Sequence, residues 1–482
     1  MVVSKQLQFI KGSAILIVSN LVIKGINFLL LPLYTKYLTP AELGVSDTIT
    51  GVTSIIFPLL VMGLDSAFSA FYFDEKSQEY KDKVFNTIWL TIVIASVVPM
   101  IVSVFSEYIS LLLFGSEQYT ILVGVALVSV TMNLWYLPLA LLMRMENRMM
   151  VFALVNIAAS LTMILLNIIF VSIFEWGAYS LIVSTAITQG VQFILYLIFG
   201  KIKFKISSYD KKLIKKILKY SLPLVPAVLA TWILNMSDRY IINYFHGEWE
   251  VGLYGIAARF GTIISLFANG VYMSYTTFAY DKKGESDAKQ QYSRILSAFI
   301  FVLLLICMTV SVYSKEIVGI MTEDSYRESY RMMAPILWSQ LLYGVNTLVG
   351  YAIGFEKKSY LNLIATSTGA IINVILNVMF IPKYGALAAA YTTSFSFALM
   401  TALTYVFAQK IYYVEYKTVK LFASITGVFA VVVLIQDLDV FIKTVAWLLM
   451  TIVVIVLYKE SLKDYILLLR RVIKSFELRR EN

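Results

Sequence analysis

The sequence has very few of the residues from which catalytic and metal sites are usually built. It contains one cysteine, Cys307, and one histidine, His246, in 482 residues. A disulfide framework, a Cys/His zinc site or a histidine-based catalytic constellation needs several such residues. The chain also has no P-loop motif for ATP and no recognisable nucleophile–base pair. We therefore predict a protein that binds no metal and is not an enzyme.

Charged residues are scarce and apolar residues are abundant. Asp, Glu, Lys and Arg make up 15% of the chain, against about 25% in a typical soluble domain, and 59% of the residues are apolar. The apolar runs are long enough for membrane-spanning helices, which need about 20 residues, and they lack the alternation typical of membrane β-barrels. The composition therefore predicts an all-α polytopic membrane protein and argues against a soluble enzyme.

Fourteen apolar runs have the length of a membrane span, or twelve if the last pair is misjudged. We predict spans at residues 12–34, 45–73, 84–106, 119–143, 150–173, 178–199, 220–244, 251–279, 291–313, 331–354, 360–381, 385–408, 418–436 and 439–458. The predicted parts are an N-terminal lobe (1–199), a cytoplasmic amphipathic linker (200–219), a C-terminal lobe (220–408), two extra spans (409–458) and a basic amphipathic cytoplasmic tail (459–482). The short loops leave no room for a separate catalytic domain.

The distribution of positive charge predicts the orientation. With the N-terminus in the cytoplasm, the inner segments hold 31 of the 40 Lys and Arg residues, as the positive-inside rule requires. Both termini are then cytoplasmic. Inner loops explain the net charge of +10, so nucleic acid is not a predicted partner. Segments 209–220 and 459–482 are basic on one helical face and apolar on the other, so we expect them to lie on the anionic inner leaflet or to dock a partner.

The sequence contains an internal repeat at an offset of 208 to 210 residues, which corresponds to six predicted spans. The tripeptide ELG at 42–44 matches EVG at 250–252, and Gly-Ala at 177–178 matches Gly-Ala at 385–386. Because six is an even number of spans, both halves cross the membrane in the same direction. Transporters with such parallel repeats bind substrate near the midplane between the halves.

Five charged residues lie more than four residues from either end of a predicted span, namely Lys24, Arg239, Arg259, Asp65 and Asp238. Each such charge costs about 2.5–3.5 kcal/mol at the centre of a span, so it is expected to face a wet cavity or an opposite charge. We expect Asp65 and Asp238 to act in gating or in binding a coupling ion, and helix packing is the alternative.

The cations lie on polar helix faces together with asparagines. Helical spacing groups Asn20 and Asn27 with Lys24, Asn235 with Arg239, and Asn269 with Arg259. If these faces meet, they form a cationic cavity suited to phosphate, which Arg binds with a bidentate fork and Lys as a point charge. In the alternative interpretation, Asp238 pairs with Arg259 or Lys24 only to hold helices together.

Several segments resemble the polysaccharide flippases of the multidrug/oligosaccharidyl-lipid/polysaccharide exporter superfamily. They are FLLLPLYTKYLTPAELG at 28–44, MGLDSAFSAFYFD at 62–74, SLPLVPAVLATWILNMSDRYIINYF at 221–245, EVGLYGIAARFG at 250–261 and IINVILNVMFIPKYGALAAAY at 371–391. The resemblance extends over nearly the whole chain. It implies two six-helix lobes arranged in a V shape, two extra C-terminal helices and transport by alternating access.

The resemblance also implies a cargo and a location. The cargo is an undecaprenyl-pyrophosphate-linked oligosaccharide, moved from the inner to the outer leaflet of the bacterial cell membrane for cell-surface polysaccharide biosynthesis. The implied partners are this polyprenyl-diphosphate-linked oligosaccharide, membrane lipids and other polysaccharide assembly proteins. No cofactor is implied, and the energy source is Na⁺, H⁺ or the membrane potential.

Two related activities stay open. Lipid II flippases use basic residues of their first and eighth spans for the diphosphate, and Lys24 and Arg259 lie in the matching spans. However, the lipid II flippases favour arginine at the position of Lys24. A cation-coupled multidrug antiporter is the second alternative, although such exporters favour acidic cavities.

Overall fold

The structure is a computed structural model and describes residues 28–202, 204–205, 209–356 and 358–478. Helices make up 88% of it, and the described residues form no strand. The all-helical membrane architecture predicted from the composition is therefore confirmed. Helices are favoured because each satisfies its own backbone hydrogen bonds inside the bilayer.

The α-helices are numbered here in chain order. They are α1 Leu31–Tyr37, α2 Pro40–Val61, α3 Leu64–Phe71, α4 Gln78–Ala95, α5 Val97–Ser103, α6 Ser106–Phe114, α7 Thr120–Met145, α8 Met149–Asn167, α9 Tyr179–Gly200, α10 Lys211–Ser221, α11 Val225–His246, α12 Glu248–Asp281, α13 Ala288–Val312, α14 Ser314–Met321, α15 Tyr330–Phe355, α16 Tyr360–Ile411, α17 Thr418–Ile435 and α18 Val440–Leu478. Short 3₁₀ helices at Glu117–Tyr119, Leu222–Leu224 and Asp324–Ser329 and a π-helix at Ile168–Ile173 link some of them.

Twelve helical segments of the described chain are long and apolar enough to cross a membrane, and the protein is a multi-pass membrane protein. These twelve segments correspond to thirteen predicted spans, the second to the fourteenth, because α16 contains two spans. Those two spans meet at Gly385, whose φ of +61° is outside the helical region. The first predicted span, 12–34, begins outside the described residues, so the count of fourteen stays a prediction.

The second predicted span is divided into two helices. It starts with a capping box, in which Thr39 and Glu42 bond each other's backbone N–H, and Pro40 occupies the first turn. Helix α2 ends where Met62 and Gly63 adopt φ values of +53° and +70°, and α3 starts directly afterwards. These two residues interrupt the helical backbone, which explains why one apolar run produces two helices.

One compact unit comprises the chain up to Gly255 together with Asn377–Ala386. In it α9 packs along α7 and α8, while α2 contacts α7 and α11. Phe68, Phe85 and Leu134 are buried in its core, where the Phe68 and Phe85 rings meet edge to face. Close packing of this kind holds helices together where lipid is as apolar as the side chains.

The second compact unit comprises Ile256–Leu376 and the chain from Leu387 onward. Its last two helices, α17 and α18, pack on α13 and are also held by polar contacts. The indole N–H of Trp338 donates to the carbonyl of Ile425 at 3.0 Å. The fully buried Nζ of Lys443 lies 2.6 Å from Glu316 Oε2. The C-terminal pair is therefore an integral part of this unit. The lobe boundaries inferred from the sequence stay a prediction.

The linker helix α10 has its apolar face covered by protein. Leu213, Ile214 and Ile217 are buried in the core of the first unit, where α10 packs on α3 and α4. The expectation that this face lies on the inner leaflet is therefore wrong. Helical periodicity shows that an apolar face exists but does not show what covers it. The side chains of the tail from residue 460 onward lie outside the described residues, so its membrane contact stays a prediction.

An ion pair fixes the start of this linker helix. Lys83 Nζ lies 2.7 Å from Asp210 Oδ2. The hydrogen bond from this ammonium, followed by those from the backbone N–H groups of Leu213 and Lys212, lowers the pKa of Asp210 to about 2. A lowered pKa means that the contact is present above the ordinary value of 3.8 and is lost only as the pH falls through about 2. The linker is therefore attached to α4 at any physiological pH.

Two glycines matched by the sequence repeat lie near the starts of α2 and α12, where these helices touch. A Cβ atom on Gly44 would lie 1.8 Å from the carbonyl oxygen of Glu248. One on Gly252 would lie 1.9 Å from the carbonyl oxygen of Pro40. The contact is reciprocal, and only glycine allows the two backbones to approach so closely.

A second pair of repeat-related residues makes equivalent contacts. Gly177 and Gly385 have φ values of +58° and +61°. A Cβ atom on Gly177 would lie 2.2 Å from Glu42 Oε1, and one on Gly385 would lie 2.3 Å from Glu250 Oε2. The backbone N–H of Ala386 donates to Glu250 Oε2 at 2.7 Å. In both halves a glutamate therefore lies close against a glycine with positive φ, which is consistent with the parallel repeat.

Cysteine labelling in intact cells tests the predicted orientation. Lys212, Glu117 and Glu323 are exposed. With Cys307 replaced by serine, we expect Glu117→Cys and Glu323→Cys to react with an impermeant thiol reagent, because the charge distribution places them outside. Lys212→Cys should react only after the cells are opened. The opposite pattern would contradict the orientation.

Candidate functional site

Asp238 and Arg239 lie within α11 at the centre of a buried polar cluster. Asp238 is 1% exposed. Its Oδ2 accepts a hydrogen bond from the hydroxyl of Tyr254 on α12, and its Oδ1 accepts one from the backbone N–H of Arg239 at 2.9 Å. The same Oδ1 lies 3.7 Å from Arg239 Nη1. A carboxylate inside a span is tolerated only with such partners, so this cluster is a stable, closed arrangement.

The guanidinium of Arg239 is held on several sides. Its Nη1 donates to the carbonyl oxygen of Asn235 at 2.8 Å and lies 3.3 Å from the sulfur of Met236. Its Cζ lies 5.6 Å from the centroid of the Tyr254 ring, within range of a cation–π interaction. Asp47 on α2 adds an electrostatic attraction. These contacts fix the position of the arginine and leave it 9% exposed.

The predicted polar face of α11 is therefore present, but Asn235 forms hydrogen bonds within its own helix. Asn235 Nδ2 donates to the carbonyl oxygen of Thr231 at 2.7 Å, while the Asn235 carbonyl accepts from Arg239. Asp238 pairs with Tyr254 and Arg239. The role of these side chains in substrate binding stays a prediction.

Two members of this cluster are not singled out by the sequence. Tyr254 is one of 32 tyrosines, and Asp47 stands near the start of the second predicted span, where a carboxylate is unremarkable. The signal that points to them is indirect. A buried Asp238 needs a hydrogen-bond donor, and a tyrosine on the next helix of the hairpin is one of the few groups within reach.

Arg259 and Asn269 lie on the part of α12 that belongs to the second compact unit. Both are partly buried, and the hydroxyl of Thr262 donates to the Arg259 carbonyl at 2.7 Å. Arg239 belongs to the first unit. Lys24, Asn20 and Asn27 lie outside the described residues. The meeting of the three polar faces in one cavity therefore stays a prediction.

Asp65 is exposed and lies in the first turn of α3. A carboxylate is favoured there because the N-terminus of a helix carries partial positive charge. Its predicted role in gating or ion coupling is therefore compatible with its position and stays a prediction. Within the described ranges, no group of three or more His, Cys, Asp and Glu side chains is arranged to hold a metal ion.

The sequence matches two protein-family models. A model described as "Polysaccharide biosynthesis protein" matches residues 9–279, which is more than half of the chain. The chain belongs to this polysaccharide biosynthesis protein family. A second model, MatE, matches residues 223–379. The predicted resemblance to flippases of the multidrug/oligosaccharidyl-lipid/polysaccharide exporter superfamily is confirmed, and the chain is a membrane transporter of that superfamily.

Two relatives illustrate the similarity. An uncharacterized membrane protein of Methanocaldococcus jannaschii is 23% identical over 462 residues, which cover 89% of this chain and 90% of that protein. The probable low-salt glycan biosynthesis flippase Agl15 of Haloferax volcanii is 26% identical over 209 residues. The second match covers 42% of this chain and 44% of that flippase, so this chain spans less than half of that relative's length.

A solved structure shows the same fold. The lipid II flippase MurJ in an inward closed conformation superposes with a TM-score of 0.72, covering 92% of this chain and 99% of MurJ at 16% sequence identity. At that identity the likeness concerns the fold alone. MurJ is a flippase and Agl15 is described as a probable flippase, and our prediction of a protein that is not an enzyme is consistent with both.

Proposed function

We propose that this protein moves an undecaprenyl-pyrophosphate-linked oligosaccharide from the inner to the outer leaflet by alternating access, for cell-surface polysaccharide biosynthesis. The observation that carries the proposal is the match of the polysaccharide biosynthesis model over residues 9–279. This range includes Lys24, Arg239 and Arg259, the cations inside predicted spans. A diphosphate carries the negative charge of such a cargo, and cations shielded from water bind it strongly.

The geometry supports different roles for the two arginines. Arg239 is nearly buried and bonded to its own helix and to the Asp238–Tyr254 pair, so in this proposal it keeps α11 and α12 together and adds positive potential. Arg259 is more accessible. We assign it, with Lys24, to the diphosphate, and the amides of Asn20, Asn27, Asn235 and Asn269 to polar groups of the cargo.

The reciprocal glycine contact supports alternating access. Gly44 and Gly252 bring the ends of α2 and α12 together, at the side that the charge distribution places outside. In our proposal this contact closes the outer side while the cargo enters from the cytoplasm. It separates when the cargo leaves. Asp65 and Asp238 are proposed to act in gating or in coupling to Na⁺, H⁺ or the membrane potential.

The proposal places the protein in the bacterial cell membrane with both termini in the cytoplasm. Its partners are then the lipid-linked oligosaccharide, membrane lipids and other polysaccharide assembly proteins. The probable glycan biosynthesis flippase among its relatives supports this setting.

The MatE match over residues 223–379 favours one second candidate, a cation-coupled multidrug antiporter. A cationic drug would need free carboxylates, for which Asp65 and Asp238 are the candidates inside spans. Asp238 is already engaged by Tyr254 and Arg239, which makes it a poor drug ligand.

Flipping in vesicles tests the proposal. Purified protein is reconstituted with a fluorescent polyprenyl-diphosphate sugar, and flipping is followed by the access of an impermeant quencher. Lys24→Ala and Arg259→Ala should each slow flipping by about tenfold to hundredfold, because each loses a charge-assisted phosphate contact. Arg259→Glu should stop it, and the control Arg259→Lys should retain most of it. Asp65→Asn should have a smaller effect than the cation changes.

Three outcomes would contradict the proposal. Near-normal flipping by both Lys24→Ala and Arg259→Ala would reject the phosphate site. A cation-dye efflux that depends on Asp65 more than on Arg259 would favour the antiporter. Preferred transport of lipid II over other polyprenyl-diphosphate sugars would favour the lipid II activity.

A further inference from the structure

A cavity of about 340 Å³, lined by both polar and apolar side chains, lies in the first compact unit between α2, α7 and α9. Its volume is at the lower end of the range of about 300–1,000 Å³ found for ligand pockets. The polar part of its lining includes Thr53 and Ser54 on α2, Ser129 and Asn133 on α7, and Thr185 and Gln189 on α9. Among the residues described around the cavity, none carries a charge. The cavity is thus suited to an uncharged polar ligand.

The hydroxyl groups in this lining act mainly as acceptors. The hydroxyl of Ser129 donates to the carbonyl of Ala126 at 2.7 Å, and that of Thr185 donates to the carbonyl of Leu181 at 2.8 Å. Each hydroxyl has one proton, which is used in these bonds, so its lone pairs remain for a ligand. A ligand with several hydroxyl donors would satisfy them.

The two amides of the lining provide both donors and acceptors. Gln189 Oε1 is buried and has no hydrogen-bond partner among the described residues. A buried polar atom without a partner is costly, and the cost is explained if the site is built to receive a donor from a ligand. Asn133 is partly buried on the facing helix and supplies the second amide. Phe57 adds an apolar wall on which the C–H face of a ring can pack.

The cavity is connected to the charged cluster through α2. Ser54, in the lining, accepts a hydrogen bond from the indole N–H of Trp232 on α11 at 2.8 Å. Helix α2 also carries Asp47, which interacts with Arg239. Seven residues separate Asp47 from Ser54, or about 10 Å along a helix. The cavity and the charged cluster are therefore held in place by the same helix, α2.

We infer that this cavity binds a sugar ring of the transported glycan and so contributes to sugar specificity. The inference rests on the proposed function for the identity of the cargo. Hydroxyl acceptors, two amides and an apolar wall, with no charge, match the chemistry of a neutral sugar. The diphosphate stays with the cations, because nothing in the lining neutralises it.

Binding to the full-length protein in nanodiscs tests this inference. The probes are undecaprenyl diphosphate alone and a panel of the same lipid bearing one hexose or N-acetylhexosamine. The unaltered protein should bind at least one sugar-bearing lipid more tightly than the bare lipid. Asn133→Leu and Gln189→Leu should each reduce that preference by about threefold to tenfold, the effect of losing a neutral hydrogen bond. Affinity for the bare lipid should not change. Gln118→Leu, an exposed amide outside the cavity, is the control.

A second measurement separates this inference from the proposed cargo. Thr185→Cys is introduced in a Cys307→Ser background, and its reaction with a small thiol reagent is followed with and without the free sugars of the panel. If a sugar protects the introduced cysteine but polyprenyl diphosphate does not bind, the sugar site is supported and the proposed cargo is rejected. If the diphosphate binds with no preference for a sugar-bearing lipid and no sugar protects, the sugar site is rejected and the proposed cargo is kept. An equal loss of affinity for both lipids in Gln189→Leu would also reject the sugar site, because the residue would then be structural.

Discussion

Arg239→Ala should remove most of the folded protein from the membrane, a larger effect than the same change at Arg259. The substitution leaves Asp238, which is 1% exposed, without the guanidinium 3.7 Å from its Oδ1. Removing one partner of a buried ion pair costs about 3–5 kcal/mol, against a net stability of about 5–15 kcal/mol for a typical protein. The yield and the melting temperature of detergent-purified protein measure the effect.

A double variant provides the control for this experiment. Asp238→Asn combined with Arg239→Gln removes both charges, so it should recover most of the stability that Arg239→Ala loses. Arg259→Ala should insert and melt almost normally, because that side chain is only partly buried. Normal yield and melting of Arg239→Ala with loss of transport would instead assign Arg239 to cargo binding.

The second large effect is expected at the glycine contact between α2 and α12. In Gly252→Ala the new Cβ would lie 1.9 Å from the carbonyl oxygen of Pro40, and in Gly44→Ala it would lie 1.8 Å from that of Glu248. The obstacle is backbone, which cannot rotate away, so the two helices must separate. We expect a loss of stability at or above the upper end of the usual cost of overpacking, about 1–3 kcal/mol. Thermal melting of the purified variants tests this.

Gly270 on the same helix offers a matched control. No neighbouring atom lies within 4 Å of the position that its Cβ would occupy. Because alanine favours a helix over glycine by about 1 kcal/mol, Gly270→Ala should be neutral or slightly stabilising. Equal melting temperatures for Gly252→Ala and Gly270→Ala would show that the close approach of α2 and α12 is not maintained in the membrane.

The spans could be predicted from sequence because a bilayer demands long apolar helices and sorts positive charge to one side. The break between α2 and α3 could not, since it depends on the left-handed conformation of Met62 and Gly63 within one apolar run. The covering of the linker helix also escaped prediction. An apolar face looks the same in sequence whether protein or lipid covers it.

The charged cluster was only half predictable. Asp238 and Arg239 stand out because charge is costly in an apolar run, but Tyr254 becomes their partner only once α11 and α12 form a hairpin. The polar cavity is harder still to foresee. Its serines and threonines are ordinary residues on three separate helices, and they form a group only after those helices pack.

The buried contacts of α17 and α18 join residues that are translated at very different times. Ile425 follows Trp338 by 87 residues, and Lys443 follows Glu316 by 127. At a synthesis rate of about 5–20 residues per second, the Glu316 carboxylate waits roughly 6–25 s for its lysine. Until α17 and α18 follow, the Glu316 carboxylate and the Trp338 indole N–H lack these partners. The second unit therefore gains these contacts only after α17 and α18 have been translated.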